Sequence, residues 1–404
     1  MTPYILDLID SNISFFNPDQ HSCEPGMALW DGSRYVFGDQ IWLNYKLKPQ
    51  QIAHRYWLQP SLESLASWQG DARHSADLIH AQLAALAGED EVSSVIAVPG
   101  HYSDDQLSLM LGILNATPIQ ALCLLHRSVA LGHPYAQSNR TLHIELQLHQ
   151  LLVTELHVVD QEILVKRSTA VSGQGLLALQ DRLLQLINTQ FIEQTRFDAL
   201  RSGCDEQALS DQIAATPLGE TQTLHFQCQG HKITLSADQL KPAYQPLLDA
   251  LERFSPSSAH CLIEDWGRGL ALSCPDSWTV TPVPKNALVD HYDALLSLTQ
   301  GADAYTLIDS LPFSRGLAAQ AENSNAERIT QAFGLIDYRA VPLKQWLTRH
   351  APSASLNQWR LTVSSATPEL ITINGKLVSK EQKIRPGDRI NVNGAVMTLI
   401  EVDE

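Results

Sequence analysis

The sequence predicts an α/β protein built from a duplicated unit, two lobes around a cleft, with a small all-β module after it. Three observations predict this. Each half opens on short strands joined by a tight turn, "YILDLIDSNISFF" from Tyr4 and "TLHIELQLHQLLVTEL" from Thr141. Each half then adds amphipathic helices and a further buried strand. The last stretch, from "RLTVSSATPELITING" onward, is β in character throughout. It carries turn signals at Asn374-Gly375, Pro386-Gly387-Asp388 and Asn393-Gly394.

In order along the chain, Asp10-Ser11-Asn12 is the polar turn between the first two strands. "RYVFGDQIWLNY" offers a short strand running into a helix. "HSADLIHAQLAALAG" places Ala76, Ile79, Leu83 and Leu86 on one helical face, with Gly88 past the end. "EVSSVIAVPG" is a buried strand stopped by Pro99 and Gly100, and "DDQLSLMLGILNAT" is a helix with Asp104 and Asp105 at its start. "IQALCLL" is strand-like and "HRSVALGH" a helical turn. From Leu142 the pattern alternates: Leu142, Ile144, Leu146 and Leu148 against His143, Glu145, Gln147 and His149. Two strands follow about a turn at Asp160-Gln161, then a long amphipathic helix, a hairpin turning at Gly230, a capped helix, and the strand "AHCLIEDWGRG". The boundaries expected are a first lobe over 1–139, a second over 140–317, a linker or helical bridge over 318–354, and a β module over 355–404.

The chain has 404 residues and a net charge of −16, from 44 acidic against 28 basic side chains. That balance argues against binding nucleic acid over a broad surface, which needs a basic face. The six cysteines form no CxxC pair and read as buried free thiols in a reducing compartment. The opening "MTPYILDLIDSN" lacks a basic n-region and does not read as a signal peptide. No apolar run reaches the ~20 residues that span a bilayer. A cytoplasmic protein without membrane contact is expected. His54, His101, His126, His143 and His149 show no HxxxH or HExxH spacing, so no metal site is expected.

Three segments carry a resemblance. "VSSVIAVPGHYSDDQLSLMLGILNATPIQALCLLHRSVALGH", "LHVVDQEILVKRSTAVSGQGLLALQDRLLQLI" and "GHKITLSADQLKPAYQPLLDALERFSPSSAHCLIEDWG" follow one another. Their order and spacing resemble the nucleotide-binding domain of DnaK-type heat-shock chaperones, in the actin-like ATPase superfamily. The resemblance covers roughly residues 1–315 and implies a two-lobed, ribonuclease H-like duplicated fold. It also implies ATP and magnesium held by two glycine-rich hairpin turns, whose backbone N–H groups cradle the phosphates.

The residues here depart from that pattern. The family's first turn, D-L-G-T-T-N, corresponds to Asp7-Leu8-Ile9-Asp10-Ser11-Asn12: Ile9 replaces the glycine and Asp10 adds a negative charge. The second, D-L-G-G-G-T, corresponds to Glu145-Leu146-Gln147-Leu148-His149-Gln150, with every glycine gone. The family's catalytic glutamate falls on His126 and the proline beside it on Arg127, both read here as surface or helix-capping residues, or else as an anion site for another ligand. The lysine has no clear counterpart; His54 and Arg55 stand nearest. The adenosine glycine pair falls on Asp265-Trp266-Gly267.

The expectation is therefore an inactive DnaK-like, actin-like protein without catalytic residues or cofactor, serving as a scaffold or adaptor for other proteins, with self-association open. A divergent ATP- and magnesium-dependent chaperone-like ATPase is the first alternative. The second rests on the β module: "ITINGKLVSKEQKIRPGDRINVNGAVMTLIEV" resembles the last strands of a forkhead-associated domain, and RNA-binding S4-like modules share part of it. It implies recognition of a phosphopeptide or an RNA.

Overall fold

The computed structural model describes residues 2–65, 70–216, 223–254, 259–264, 268–271 and 273–313, together with strand segments between 333 and 400. The chain is a mixed α/β protein that divides into two compact units, Met1–Arg315 and Gly316–Glu404.

The first unit holds two six-stranded sheets of the same design. In the first sheet β1 (Tyr4–Asp7), β2 (Ile13–Phe16) and β3 (His21–Glu24) run antiparallel in succession. A small sheet of β4 (Ala28–Trp30), β5 (Tyr35–Val36) and β6 (Ile52–Ala53) and the helix α1 (Ser75–Ala87) intervene. The chain then returns to the other side of β1 with β7 (Val92–Val98), parallel to it, and β8 (Ile119–His126), parallel to β7. The second sheet repeats this. β9 (Arg140–Leu146), β10 (Gln150–Val159) and β11 (Glu162–Ser172) are antiparallel, and after an excursion β14 (His260–Glu264) and β15 (Thr279–Val283) add in parallel beside β9. The excursion contains α4 (Leu176–Thr195), α5 (Gly203–Ala215) and the hairpin β12 (Thr223–Cys228) and β13 (His231–Ser236). Two short strands close the unit: β16 (Leu307–Ile308) extends the first sheet beside β8, and β17 (Ser310–Pro312) extends the second beside β11.

The alternation read from Leu142 is what makes this possible. Leu142, Ile144 and Leu146 face a core shared with Leu183, Ile187 and Phe191 of α4, while His143, Glu145 and Gln147 point from the opposite face and are equally buried. A strand at the centre of a sheet has two covered faces, and here the second is polar. Between the sheets lies α3 (Arg127–Tyr135). Its Val129, Ala130 and Leu131 pack with Ile5, Val95 and Leu125 of the first sheet and with Leu156, Ile163 and Leu262 of the second. Gly132 lets it lie close, since a Cβ there would stand 2.5 Å from Leu156. This packing fixes where the side chains at the start of α3 sit. The helix α2 (Asp104–Leu114) is capped by Ser103 with Gln106 in return, so Asp104 and Asp105 occupy its first turn rather than its cap.

Turn chemistry agrees with the sequence reading. Asp160 and Gln161 both adopt positive φ in the two-residue loop between β10 and β11, as do Gln229 and Gly230 between β12 and β13. No disulfide links the cysteines; Cys123, Cys228 and Cys261 are buried and Cys204 is exposed.

In the second unit β18 (Phe333–Ile336) pairs with β19 (Arg339–Pro342) and with β26 (Ala395–Ile400). With β25 (Arg389–Val392), β22 (Ile371–Ile373) and β23 (Lys376–Leu377) they form one antiparallel sheet. A smaller sheet holds β20 (Ala354–Asn357), β21 (Arg360–Val363) and β24 (Glu381–Lys383). The β region thus begins well before 355: Phe333–Ile336 and Arg339–Pro342, expected within the bridge, are strands of it. Asn374 and Asn393 carry positive φ at two of the turn signals.

Candidate functional site

The two hairpin turns at the ends of β1–β2 and β9–β10 meet. Asp10, in the first turn, accepts the backbone N–H of Leu148, in the second, at 2.8 Å. Ile9 and Leu148 are both buried, at 2% and 0% exposure, Leu148 among Met27, Leu29, Ile41, Ile52 and Leu177.

The second turn is committed in the same way. Its carbonyls at Gln147 and Leu148 accept the N–H groups of Leu176 and Leu177, the first residues of α4. Those donors are orphaned at any helix start and are the ones an anion would use. Gly175 makes this approach possible, because a Cβ there would lie 2.4 Å from the Leu148 oxygen. Gln147 takes a hydrogen bond from Gln150 at 2.6 Å and lies 3.2 Å from His101 Nδ1. His149 stacks on His54, with ring nitrogens 2.8 Å apart. Two imidazoles this close cannot both be charged, and burial holds both below the usual histidine range, His54 at about 4.

Beside the turns lies a buried ion cluster centred on Arg127. Its Nε donates to Asp7 at 2.6 Å, Nη1 to Glu145 at 3.1 Å, and Nη1 and Nη2 to the two oxygens of Glu264 at 2.6 and 2.8 Å. Four elements converge here: the end of β1, the start of α3, β9, and the end of β14. The Glu264 pair is bidentate, the strongest geometry open to a guanidinium. Arg127 is 3% exposed and Glu145 0%. Arg127 holds the Glu264 carboxyl well below its usual range against the cost of burial, while burial outweighs Arg127 at Asp7 and pushes that carboxyl up to about 6. The cluster is short of positive charge, one guanidinium against three carboxylates. His143 stands 3.8 Å from Glu145 and 3.7 Å from Glu264, too far for a hydrogen bond. Asp10 is a fourth buried carboxyl in this layer, and desolvation pushes it up to about 7.

The structure brings part of the sequence-predicted set together: Asp7 and Glu145 meet at Arg127, and Asp10 meets the Leu148 amide across the turns. Gln147 and His149 reach His101 and His54 instead, and the Leu148 side chain packs with Met27, Leu29 and Ile41. The Ser11 hydroxyl is buried with no hydrogen-bond partner among the described residues. Trp266 and Gly267, with Asp265, lie outside the described residues. Two expectations need correction. Arg127 and His126 are not surface groups: His126 is 4% exposed and caps α3 through Ser128 N–H, and Arg127 is the centre of the cluster. Nor do they form an anion site, since the Arg127 guanidinium already donates to three carboxylates. Sequence reasoning missed Glu264 and His143 as members of the layer. Glu264 had a signal, an acid closing an apolar strand; His143 had only its place on the polar side of the alternation.

Next to the cluster, Asp7, Asn12, Ser14, Arg127, Glu264 and Lys285 border a cavity of about 20 Å³, room for about one water molecule. Among the described residues no group of three or more His, Cys, Asp or Glu is arranged to hold a metal ion, and no helix is long and apolar enough to cross a membrane. No family model and no curated protein matches the chain.

Proposed function

We propose that residues 1–315 are an actin-like body, related to the nucleotide-binding domain of DnaK-type chaperones, that has given up nucleotide and acts by binding other proteins. The fold half of this reading is supported by the two sheets of matching strand order, each with three antiparallel strands followed by two parallel ones on the far side of the first. Its carrying observation is the replacement of ligand by side chain. Asp10 sits on the Leu148 N–H that a phosphate would need, and Arg127 sits among the acids where a metal would otherwise neutralise charge. A phosphate brought there would meet the carboxyls of Asp10 and Glu145, a repulsion that low dielectric strengthens. An actin-like body whose cleft is shut retains its surfaces as its means of acting, which is the basis for the adaptor half.

The test is titration calorimetry of the purified chain with ATP and ADP, each with and without magnesium. No heat of binding up to millimolar nucleotide is the expected result. Saturable binding in the micromolar range would overturn the reading and favour a divergent ATPase.

A further inference from the structure

Residues 39–51 join β5 to β6 and contain no strand. Two short 3-10 helices, Asp39–Asn44 and Pro49–Gln51, make up most of the segment. Its backbone bonds are local: Ile41 donates to Gly38, Tyr45 to Trp42, Lys48 to Asn44 and Gln51 to Lys48. Gly38, at its root, has φ of 102°, a region that glycine enters without strain. What holds the segment down comes from the other half of the sequence. Ile41 is fully buried and packs with Leu148 of the second hairpin turn and Leu177 of α4, with Trp42 and Tyr45 beside it. Gln207 of α5 accepts the Lys46 N–H at 2.8 Å and donates to the Trp42 carbonyl at 2.7 Å. The same side-chain amide donates to Asp211 at 2.7 Å, and a carboxylate that only accepts sets which way the amide points. The Lys46 ammonium lies 2.7 Å from Asp181 of α4 and 3.1 Å from Glu206 of α5.

We infer that residues 39–51 form a strap that lifts and closes as one piece over the second hairpin turn, with Gln207 as its catch. The inference rests on these contacts and stands whether or not the chain is an adaptor. A segment with only local backbone bonds owes its order to the surface it lies on. Such segments open at a lower free energy than the sheet beneath them. Gln207 is the one side chain among the described residues that bonds the strap's main chain from a distant part of the sequence. It is 5% exposed, so truncating it leaves the Lys46 N–H and the Trp42 carbonyl without their partner in a place poor in water. The Ile41 contacts are untouched by that change. Lifting the strap takes Ile41 off Leu148 and Leu177 and opens the second turn to solvent. The Arg127 cluster keeps its place, because none of the strap's hydrogen bonds or ion pairs passes through it.

Amide hydrogen exchange of the full chain tests this. Ile41, Tyr45, Lys46 and Lys48 are expected to exchange through one shared opening, about a hundredfold more frequent than that of Ile144, which is paired on both sides in the second sheet. In Gln207→Ala all four should exchange about tenfold faster while Ile144 is unchanged. Ile41 is the deciding reporter, because its N–H bonds to Gly38 and not to Gln207. Unchanged exchange at Ile41, with or without a rise at Lys46, overturns the strap, since Gln207 would then be a local bond and no catch. A rise at Ile144 in step with the others means global unfolding and overturns it too. Should Gln207→Ala fail to fold, the wild-type chain decides. One shared protection for the four amides, well below that of Ile144, supports the strap; protection equal to that of Ile144, or four unrelated values, overturns it.

Discussion

Arg127 has the donors of a guanidinium fork spread over Asp7, Glu145 and Glu264, and burial makes each of those bonds depend on the others. Taking the cation away leaves three carboxyls in a layer with little water to solvate them. Arg127→Met, which keeps much of the apolar volume, is expected to lose about 3–5 kcal/mol of stability in urea unfolding. Arg127→Lys restores the charge without the planar fork and recovers only part of that loss. A methionine variant within 1 kcal/mol of wild type would show that the cluster contributes nothing. This residue also marks the limit of what the sequence discloses. That Ile9, Gln147 and Leu148 stand where a phosphate-holding turn would need glycine was legible, because a turn of positive φ leaves a compositional trace, and none of the three adopts positive φ. Arg127 left none. Its role depends on positions 7, 145 and 264, which only the completed sheets bring within 3.1 Å of it. A basic residue opening a short helix reads as a surface group until the helix is seen to be buried on both sides.

At the scale of elements, the strands and long helices followed from period and punctuation. β1, β2, α1, β7 and α4 lie where alternation, helical spacing and stop residues place them. What did not follow was anything decided by distant pairing. β18 and β19 carry ordinary apolar residues in a stretch that reads as a bridge. They are strands because Phe333 pairs with Ile400, a partner 67 residues away. Turns, by contrast, are local and can be improved locally. Val159 pairs with Glu162 across Asp160 and Gln161, at φ of 50° and 64°, a two-residue loop that favours Asn-Gly. Gln161→Gly removes the steric cost of the second left-handed residue and adds some unfolded-state entropy. A net gain of about 0.5 kcal/mol is expected, read as a raised urea midpoint with the slope unchanged. A loss of stability would mean that the Gln161 side chain matters more than its backbone; its carbonyl, which accepts Phe313 N–H, is kept in either case.

For the whole molecule, the polar layer between the sheets sets how stability responds to pH, and its groups pull in opposite directions. Asp7 and Asp10 are raised by burial, to about 6 and about 7. The stability linked to them is full below their ordinary value of 3.8 and is lost as pH rises through 6 and 7. His126, His54 and His101 are lowered by burial to about 4. The stability linked to them is full above the ordinary 6.5 and is lost as pH falls toward 4. His54 and His101 are half-buried and count for less than His126. From pH 4 to 6 the two sets nearly offset, giving a shallow slope. An unfolded histidine is still half protonated at pH 6.5, so the gain linked to His126, His54 and His101 continues toward pH 7.5 and opposes the loss at Asp10. Below 4.5 Glu264 begins to lose its bond to Arg127 and stability falls steeply. Stability should therefore be nearly level from pH 6.5 to 8, with a loss of about 0.8 kcal/mol at Asp10 set against the remaining histidine gain. Urea unfolding at half-unit steps from pH 3 to 8 measures this. Asp10→Asn removes that loss, so its stability should climb by about 0.8 kcal/mol relative to wild type from pH 6.5 to 8 while the acid limb remains. Profiles of the two chains that run parallel above pH 6.5 would mean that burial does not hold the proton on Asp10 in the folded chain.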